Sequence, residues 1–179
     1  MTVSKSLVKA SRIMAFLSYT GAVLTPVVLV LAFTLPGVAR VLDIRINHVG
    51  IASMTTVPLD DRLIALVFFL VPTGFAVWGL LALARLFRLF AQGRIFAPEN
   101  MRALSQVSAA LFWNVVTAFL MQAPETFFLS YHNGPGHREI SLGLGSDDVE
   151  VLFLAGAAFV IARVMAEARR VADENESFV

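Results

Sequence analysis

Two stretches of this chain, residues 13–38 and 63–84, each run for more than twenty residues without a charged side chain. A helix needs about 20 mainly apolar residues to cross the hydrocarbon core of a bilayer. A helix that is apolar on every side belongs in a membrane or in the core of a much larger protein. The composition agrees with a membrane protein, since 58% of the residues are hydrophobic and 15% are charged, against about 25% charged in ordinary globular domains.

Two further stretches, residues 103–123 and 149–166, are apolar enough to span a membrane although both carry polar side chains. The sequence therefore predicts an all-α membrane protein with a bundle of four transmembrane helices, and residues 1–179 form one membrane domain. A cleavable signal peptide is the alternative for the first stretch, because basic residues precede it. Its apolar length exceeds the roughly 7 to 15 residues of a signal-peptide core, so a span is the preferred interpretation.

The basic residues divide unequally between the segments that connect these spans. Ten of the 14 lysines and arginines lie in the amino-terminal segment, the loop 85–102 and the carboxyl-terminal part, and four lie in the loops 39–62 and 124–148. Connecting segments rich in lysine and arginine stay in the cytoplasm. Both termini and the loop 85–102 are therefore predicted to be cytoplasmic, residues 167–179 form a cytoplasmic tail, and the other two loops are outer loops.

Each outer loop contains a short run in which apolar and polar residues alternate, at residues 41–47 and 138–144. Alternation with a period of two is typical of a half-buried strand. Because an isolated strand pair is marginally stable in water, we expect the two runs to pair into a small extracytoplasmic two-stranded β element that rests on the end of the bundle.

The sequence shows no recognisable constellation of a nucleophile, a general base or metal ligands. The absence of cysteine excludes disulfides, thiol catalysis and cysteine-ligated metals. Side chains of metal-ligand type gather only in the second outer loop and at the start of the fourth span: His132, His137, Asp147, Asp148 and Glu150. Their spacing matches no standard site, so ordinary loop residues are the preferred interpretation. We predict no catalytic site, no cofactor and no metal site, and the net charge of +1 predicts no direct nucleic-acid contact.

One polar residue, Asn114, falls near the middle of the third span. An amide at that depth is expected to face another helix and to form a hydrogen bond across the interface, for about 0.6 to 2 kcal/mol. Lining a substrate path is the alternative. Small residues four apart in the fourth span allow close helix approach within the bundle or between the protomers of a homo-oligomer: Ala158, Ala162 and Ala166.

The loop 85–102 is the most distinctive cytoplasmic segment. Gly93 is predicted to end the second helix and Pro98 suits the first position of the third, so a tight elbow is expected at residues 91–97. The loop contains four arginines that suit contact with anionic lipid headgroups: Arg85, Arg88, Arg94 and Arg102. Three other residues are not accounted for by lipid contact and are interpreted as a docking surface for a partner: Phe96, Glu99 and Asn100.

The order of residues in this loop resembles that of a known family. Two segments resemble those of a bacterial family of small four-span membrane proteins known only as a domain of unknown function. They are residues 85–100 followed by Arg102 and Leu104, and residues 162–170 with 174–175 and 178–179. Ala97 stands where that pattern has a serine or threonine helix cap. The resemblance implies four spans, an inner membrane, no assigned catalytic residues, and members often encoded beside a small helix-turn-helix regulator.

The expected function combines these predictions. We expect a multi-pass protein of the bacterial inner (cytoplasmic) membrane that has no enzymatic activity and acts as a regulatory protein. It would contact the lipid bilayer and a cytoplasmic partner, such as a small helix-turn-helix regulator, through its loop and tail. A small transporter or channel subunit, with Asn114 on its path, is the alternative.

Overall fold

A computed structural model describes residues 4–35, 37–38, 57–95, 97–131, 138 and 140–176. In these residues the long helices are α1 (Lys5–Thr34), α2 (Leu59–Ala91), α3 (Pro98–Leu129) and α4 (Ser146–Glu176). Each contains a segment that is long and apolar enough to cross a membrane. The prediction of an all-helical protein with four transmembrane helices is confirmed.

The helices are longer than the spans that hydropathy marks. They contain 30 to 33 residues, which corresponds to roughly 45 to 50 Å at about 1.5 Å per residue. The hydrocarbon core is only about 30 Å thick. Helical structure therefore continues into the headgroup region and beyond it, and α2 and α3 are separated only by residues 92–97.

Two threonine hydroxyls of α1 are satisfied inside their own helix. Thr25 Oγ1 donates to the Gly21 carbonyl over 2.8 Å. Thr34 Oγ1 donates to the Val30 carbonyl over the same distance. An unsatisfied polar group in hydrocarbon costs several kcal/mol, so these bonds make the hydroxyls compatible with a membrane span.

The helices pack in the order of the chain. α1 contacts α2, α2 contacts α3 and α3 contacts α4, and no other pair of helices is in contact within the described ranges. The bundle is therefore open, with α1 and α4 at its two edges. Small residues bring neighbouring helices close together: a Cβ added at Gly79 of α2 would lie 3.1 Å from the Cβ of Ala110 on α3.

A compact apolar cluster lies where α1 ends and α2 begins. The Phe33 ring, 1% exposed, lies 5.0 Å from the Phe69 ring. The other buried members of the cluster are Val57, Ala65, Leu66 and Leu129. Because these residues come from α1, α3 and the start of α2, the cluster holds three helices together at the predicted outer end.

The predicted β element does not form in the part of the chain that the structure describes. The run 41–47 lies outside the described residues. The described part of the second run, residues 140–144, is not a strand, so that half of the prediction is wrong. Ile140, Leu142 and Leu144 are all exposed, which preserves the alternation without a partner strand.

Residues 140–144 bond to side chains of α3 instead. The Ser141 N–H donates to Thr126 Oγ1 over 3.0 Å. The Gly143 N–H donates to Gln122 Oε1 over 2.8 Å. Alternation in a sequence records which side chains share a face, and it does not record which groups satisfy the backbone. Here a helix supplies the acceptors that a second strand was expected to supply.

Candidate functional site

The elbow between α2 and α3 is shaped first by the end of α2. Gly93 has φ of 77°, a left-handed conformation that glycine adopts without steric cost. Its N–H donates to the Phe90 carbonyl, and the Arg94 N–H reaches back to the Leu89 carbonyl, both over 3.0 Å. This pair of bonds is the Schellman arrangement that closes many helices. The turn predicted at Gly93 is thus explained by the backbone of α2.

The elbow is shaped next by Asn100, in the first turn of α3. This side chain is 0% exposed. Its Nδ2 donates to the carbonyls of Arg94 and Ile95, over 2.5 and 2.6 Å. Both acceptors are carbonyl oxygens, so only the amide nitrogen can face them. Asn100 therefore fixes the path of the elbow from inside, and its side chain is not on the surface predicted for docking.

Glu99 is also engaged within the elbow. Its Oε1 accepts a hydrogen bond from Arg94 Nη2 over 2.7 Å, and both side chains are about half exposed. A carboxylate in the first turn of a helix is favoured by the helix dipole, whereas an exposed ion pair by itself contributes little to stability. Glu99 and Arg94 therefore form a paired, accessible feature of the elbow surface. Phe96 lies outside the described residues.

The other elbow arginines remain exposed. Arg85, Arg88 and Arg102 form no ion pair with any residue that the structure describes. Arg88 Nη1 donates to Tyr19 Oη over 3.2 Å, which links α2 to α1. Beside it lies an open cleft of about 340 Å³ lined by Arg12, Ala15, Arg88, Ala91 and Gln92. Two arginines from different helices thus face one cleft at the predicted cytoplasmic end, an arrangement that suits an anionic group.

The end of α4 forms a second polar surface. Arg170 pairs with Glu167, and its Nη1 lies 3.0 Å from Glu174 Oε1. All three side chains are more than half exposed. Ion pairs at these spacings lie on one helical face, so the last turns of α4 are a charged helix suited to water rather than to hydrocarbon.

Asn114 lies at the interface between α2 and α3. Its Nδ2 donates to the carbonyl of Pro72 over 2.8 Å. The ring of the neighbouring Trp113 stacks against Phe75, with 6.3 Å between the ring centroids. The structure thus uses the amide for the inter-helix hydrogen bond that packing predicts.

Sequence reasoning missed the ionisable residues that are buried at the predicted outer end. Asp61, Arg62 and Glu125 are between 5% and 9% exposed. Arg62 Nη1 donates to the Phe33 carbonyl over 3.1 Å, and its Nε lacks a partner among the described atoms. All three residues fall in segments assigned to the outer loops, and no local pattern marks them, because their burial depends on how α1, α2 and α3 meet.

The side chains of metal-ligand type at the second outer loop, which the sequence favours as ordinary loop residues, form no metal-binding group in the part of the chain that the structure describes. His132 and His137 lie outside that part, and within it no three histidine, aspartate or glutamate side chains come together. Asp148 instead accepts the Gly145 N–H over 2.8 Å at the start of α4.

Four helices that are long and apolar enough to cross a membrane define a multi-pass membrane protein. The chain belongs to the family DUF2975, described as a protein of unknown function, whose model matches residues 4–179. No curated protein and no solved structure matches the chain. The family thus agrees with the resemblance seen in the loop and tail, and it assigns no activity.

Proposed function

We propose that this protein is a non-enzymatic regulatory protein of the bacterial inner membrane that holds a cytoplasmic partner at its elbow and at the end of α4. Both termini lie in the cytoplasm in this proposal. The unequal distribution of lysine and arginine supports that orientation. In that orientation, the elbow, the cleft beside Arg88 and the charged end of α4 lie on the same side of the membrane.

The shape of the elbow is the observation that carries the proposal. A connector between two helices needs only a few flexible polar residues, yet this one is held by a left-handed glycine and by the buried amide of Asn100. A surface that is already ordered loses less conformational entropy when a partner binds. The elbow therefore presents its exposed arginines in a fixed arrangement.

The charge of the elbow defines the partner. Arg85, Arg88 and Arg102 are exposed cations that form no ion pair with the described residues, so the partner presents an acidic surface. A small helix-turn-helix regulator with an acidic face fits this requirement. The arginines closest to the bilayer also contact anionic lipid headgroups, which keeps the elbow at the membrane surface.

The orientation is tested by cysteine labelling, for which the cysteine-free chain is well suited. Single cysteines are introduced as Ser4→Cys, Gln92→Cys and Ser146→Cys and exposed to a membrane-impermeant maleimide on intact spheroplasts. We expect labelling only at position 146, and at all three positions after lysis. Labelling of position 92 on intact spheroplasts would place the elbow outside and refute cytoplasmic docking.

Partner binding is tested by photocrosslinking in cells. A photoreactive residue replaces Arg102 in one variant and Ser146 in another, and we expect a specific cytoplasmic protein to be crosslinked only from position 102. The purified partner should then bind the double variant Arg85→Glu and Arg102→Glu at least about tenfold more weakly. The matched control is Lys9→Glu, an exposed reversal on α1 at the same end. Equal binding by the two variants would refute the elbow as the docking surface.

A further inference from the structure

A groove lies on the side of the bundle where α3 packs against α4. Its volume is about 590 Å³. Aromatic and small side chains from the two helices line most of it: Phe112, Trp113, Phe159, Ala109, Ala155 and Gly156. The three aromatic side chains are nearly half exposed and lie within helices that can span a membrane, so the groove opens toward hydrocarbon.

The groove exists because the two helices are held close together where their side chains are small. Ser108 Oγ on α3 donates to the Ala155 carbonyl on α4 over 2.8 Å. Next to this bond, a Cβ added at Gly156 would meet no atom within 4 Å. The helices are thus fixed at the bottom of the groove, while the space above Gly156 is open along the surface.

One end of the groove carries a positive charge. Arg163 lines this end, and its guanidinium carbon lies 5.2 Å from the centroid of the Phe159 ring. Arg163 forms no ion pair with the residues that the structure describes. A guanidinium at the edge of an apolar span is stabilised by an anion, and it binds phosphate oxygens with two parallel hydrogen bonds.

The length of the groove matches one leaflet of a bilayer. Leu152 and Arg163 line its two ends along α4 and are separated by roughly 16 Å at about 1.5 Å per residue. The hydrocarbon core of a bilayer is about 30 Å thick, so the groove covers about half of it. An acyl chain whose headgroup lies beside Arg163 runs along a path of this length.

We propose that this groove is a binding site for an anionic phospholipid, with one acyl chain between α3 and α4 and the phosphate on Arg163. The lipid belongs to the leaflet at the Arg163 end, which is the cytoplasmic leaflet in the orientation proposed above. The Arg163 guanidinium has no ion-pair partner among the described residues, which favours a phosphate-bearing lipid over the apolar helix of a second copy. The site does not depend on docking of a protein partner at the elbow.

Tryptophan fluorescence tests this site directly. The chain contains two tryptophans, so Trp78→Phe leaves Trp113, in the groove, as the reporter. The protein is placed in vesicles that contain either brominated phosphatidylglycerol or brominated phosphatidylcholine at equal mole fraction, and quenching by the brominated chains is measured. We expect phosphatidylglycerol to be preferred about fivefold in relative association constant, as one interfacial cation predicts.

Two variants locate the preference, and one serves as a control. Arg163→Gln should reduce the ratio to about one, because the headgroup charge is no longer recognised. Gly156→Leu should fill the groove and lower the quenching by both lipids. Lys9→Gln removes an exposed cation from α1 at the same end of the bundle as Arg163. It should leave the preference for phosphatidylglycerol unchanged.

Three results would overturn the site. The first is equal quenching by the two lipids in the Trp78→Phe protein, and the second is an unchanged preference after Arg163→Gln. The third is a dimer in sedimentation that Gly156→Leu converts to a monomer, which would show that a second copy fills the groove. Since Arg163 is exposed, its replacement leaves the helix packing intact and decides the proposal even if Gly156→Leu fails to fold.

Discussion

Replacing Asn100 by alanine tests whether the elbow is held from inside. The change removes two hydrogen bonds, from Nδ2 to the carbonyls of Arg94 and Ile95. Each contributes about 0.5 to 1.5 kcal/mol net. The change also removes Asn100 Oδ1, a buried acceptor without a partner in the described chain, and this offsets part of the loss. We therefore expect alanine to lower the free energy of unfolding by about 1 to 2 kcal/mol.

Replacement of Asn100 by aspartate separates the hydrogen bonds from the volume of the side chain. Aspartate has nearly the same shape, but an ionised carboxylate cannot donate and would face two carbonyl oxygens. A buried charge without compensation costs about 3 kcal/mol or more. Aspartate should therefore destabilise the protein more than alanine does, although it fills the space better.

Thermal unfolding in a mild detergent, followed by tryptophan fluorescence, measures both changes. For a chain of this length, about 1 kcal/mol corresponds to a shift of roughly 2 to 4 °C in Tm. Gln92→Ala is the control, because Gln92 lies in the same elbow and is exposed, and it should change stability by less than about 0.5 kcal/mol. If aspartate lowered Tm no more than alanine does, the hydrogen bonds of the Asn100 amide would not hold the elbow in its shape.

Three further predictions concern the packing of the helices and the turn at Gly93. Asn114→Leu should lower the free energy of unfolding by about 0.6 to 2 kcal/mol, because the hydrogen bond to the Pro72 carbonyl is lost. It should leave solute flux into liposomes unchanged. A lowered flux at unchanged Tm would instead favour the transporter alternative. Gly79→Leu should lower the free energy of unfolding by about 1 to 3 kcal/mol, because Ala110 lies against this position. The control is Gly74→Leu on the same helix, where the space is open, and it should leave Tm nearly unchanged. Equal shifts in Tm would refute the close approach of α2 and α3. Gly93→Ala places a side chain at φ of 77° and should lower the free energy of unfolding by about 1 to 2 kcal/mol; an unchanged Tm would show that the left-handed turn is not required.

The positions of the helices were readable from the chain because hydrophobicity and length are local properties. Uninterrupted apolar segments such as 63–84 can only be helices in a membrane, since a helix bonds all of its own backbone groups. The turn at Gly93 and the helix start at Pro98 were equally accessible, because both depend on the φ preferences of single residues.

The roles of the elbow side chains could not be predicted from the sequence in the same way. Glu99 and Asn100 were predicted to face a partner because lipid contact does not account for them. In the structure Glu99 pairs with Arg94, and Asn100 binds carbonyls five and six residues before it. Whether a polar residue faces inward depends on the fold of the whole turn, and the identity of the residue does not reveal it.

The sequence by itself determined that this protein has four membrane helices, where the second turns into the third, and how its basic residues are distributed, because each of these follows from the residues along the chain. Only the tertiary structure decided that the bundle is open, that Arg62 and Glu125 are buried, that residues 140–144 bond to α3 rather than form a strand, and that a groove ends at Arg163. The physical reason is that these features depend on distances between helices, which are set by side chains far apart in the chain.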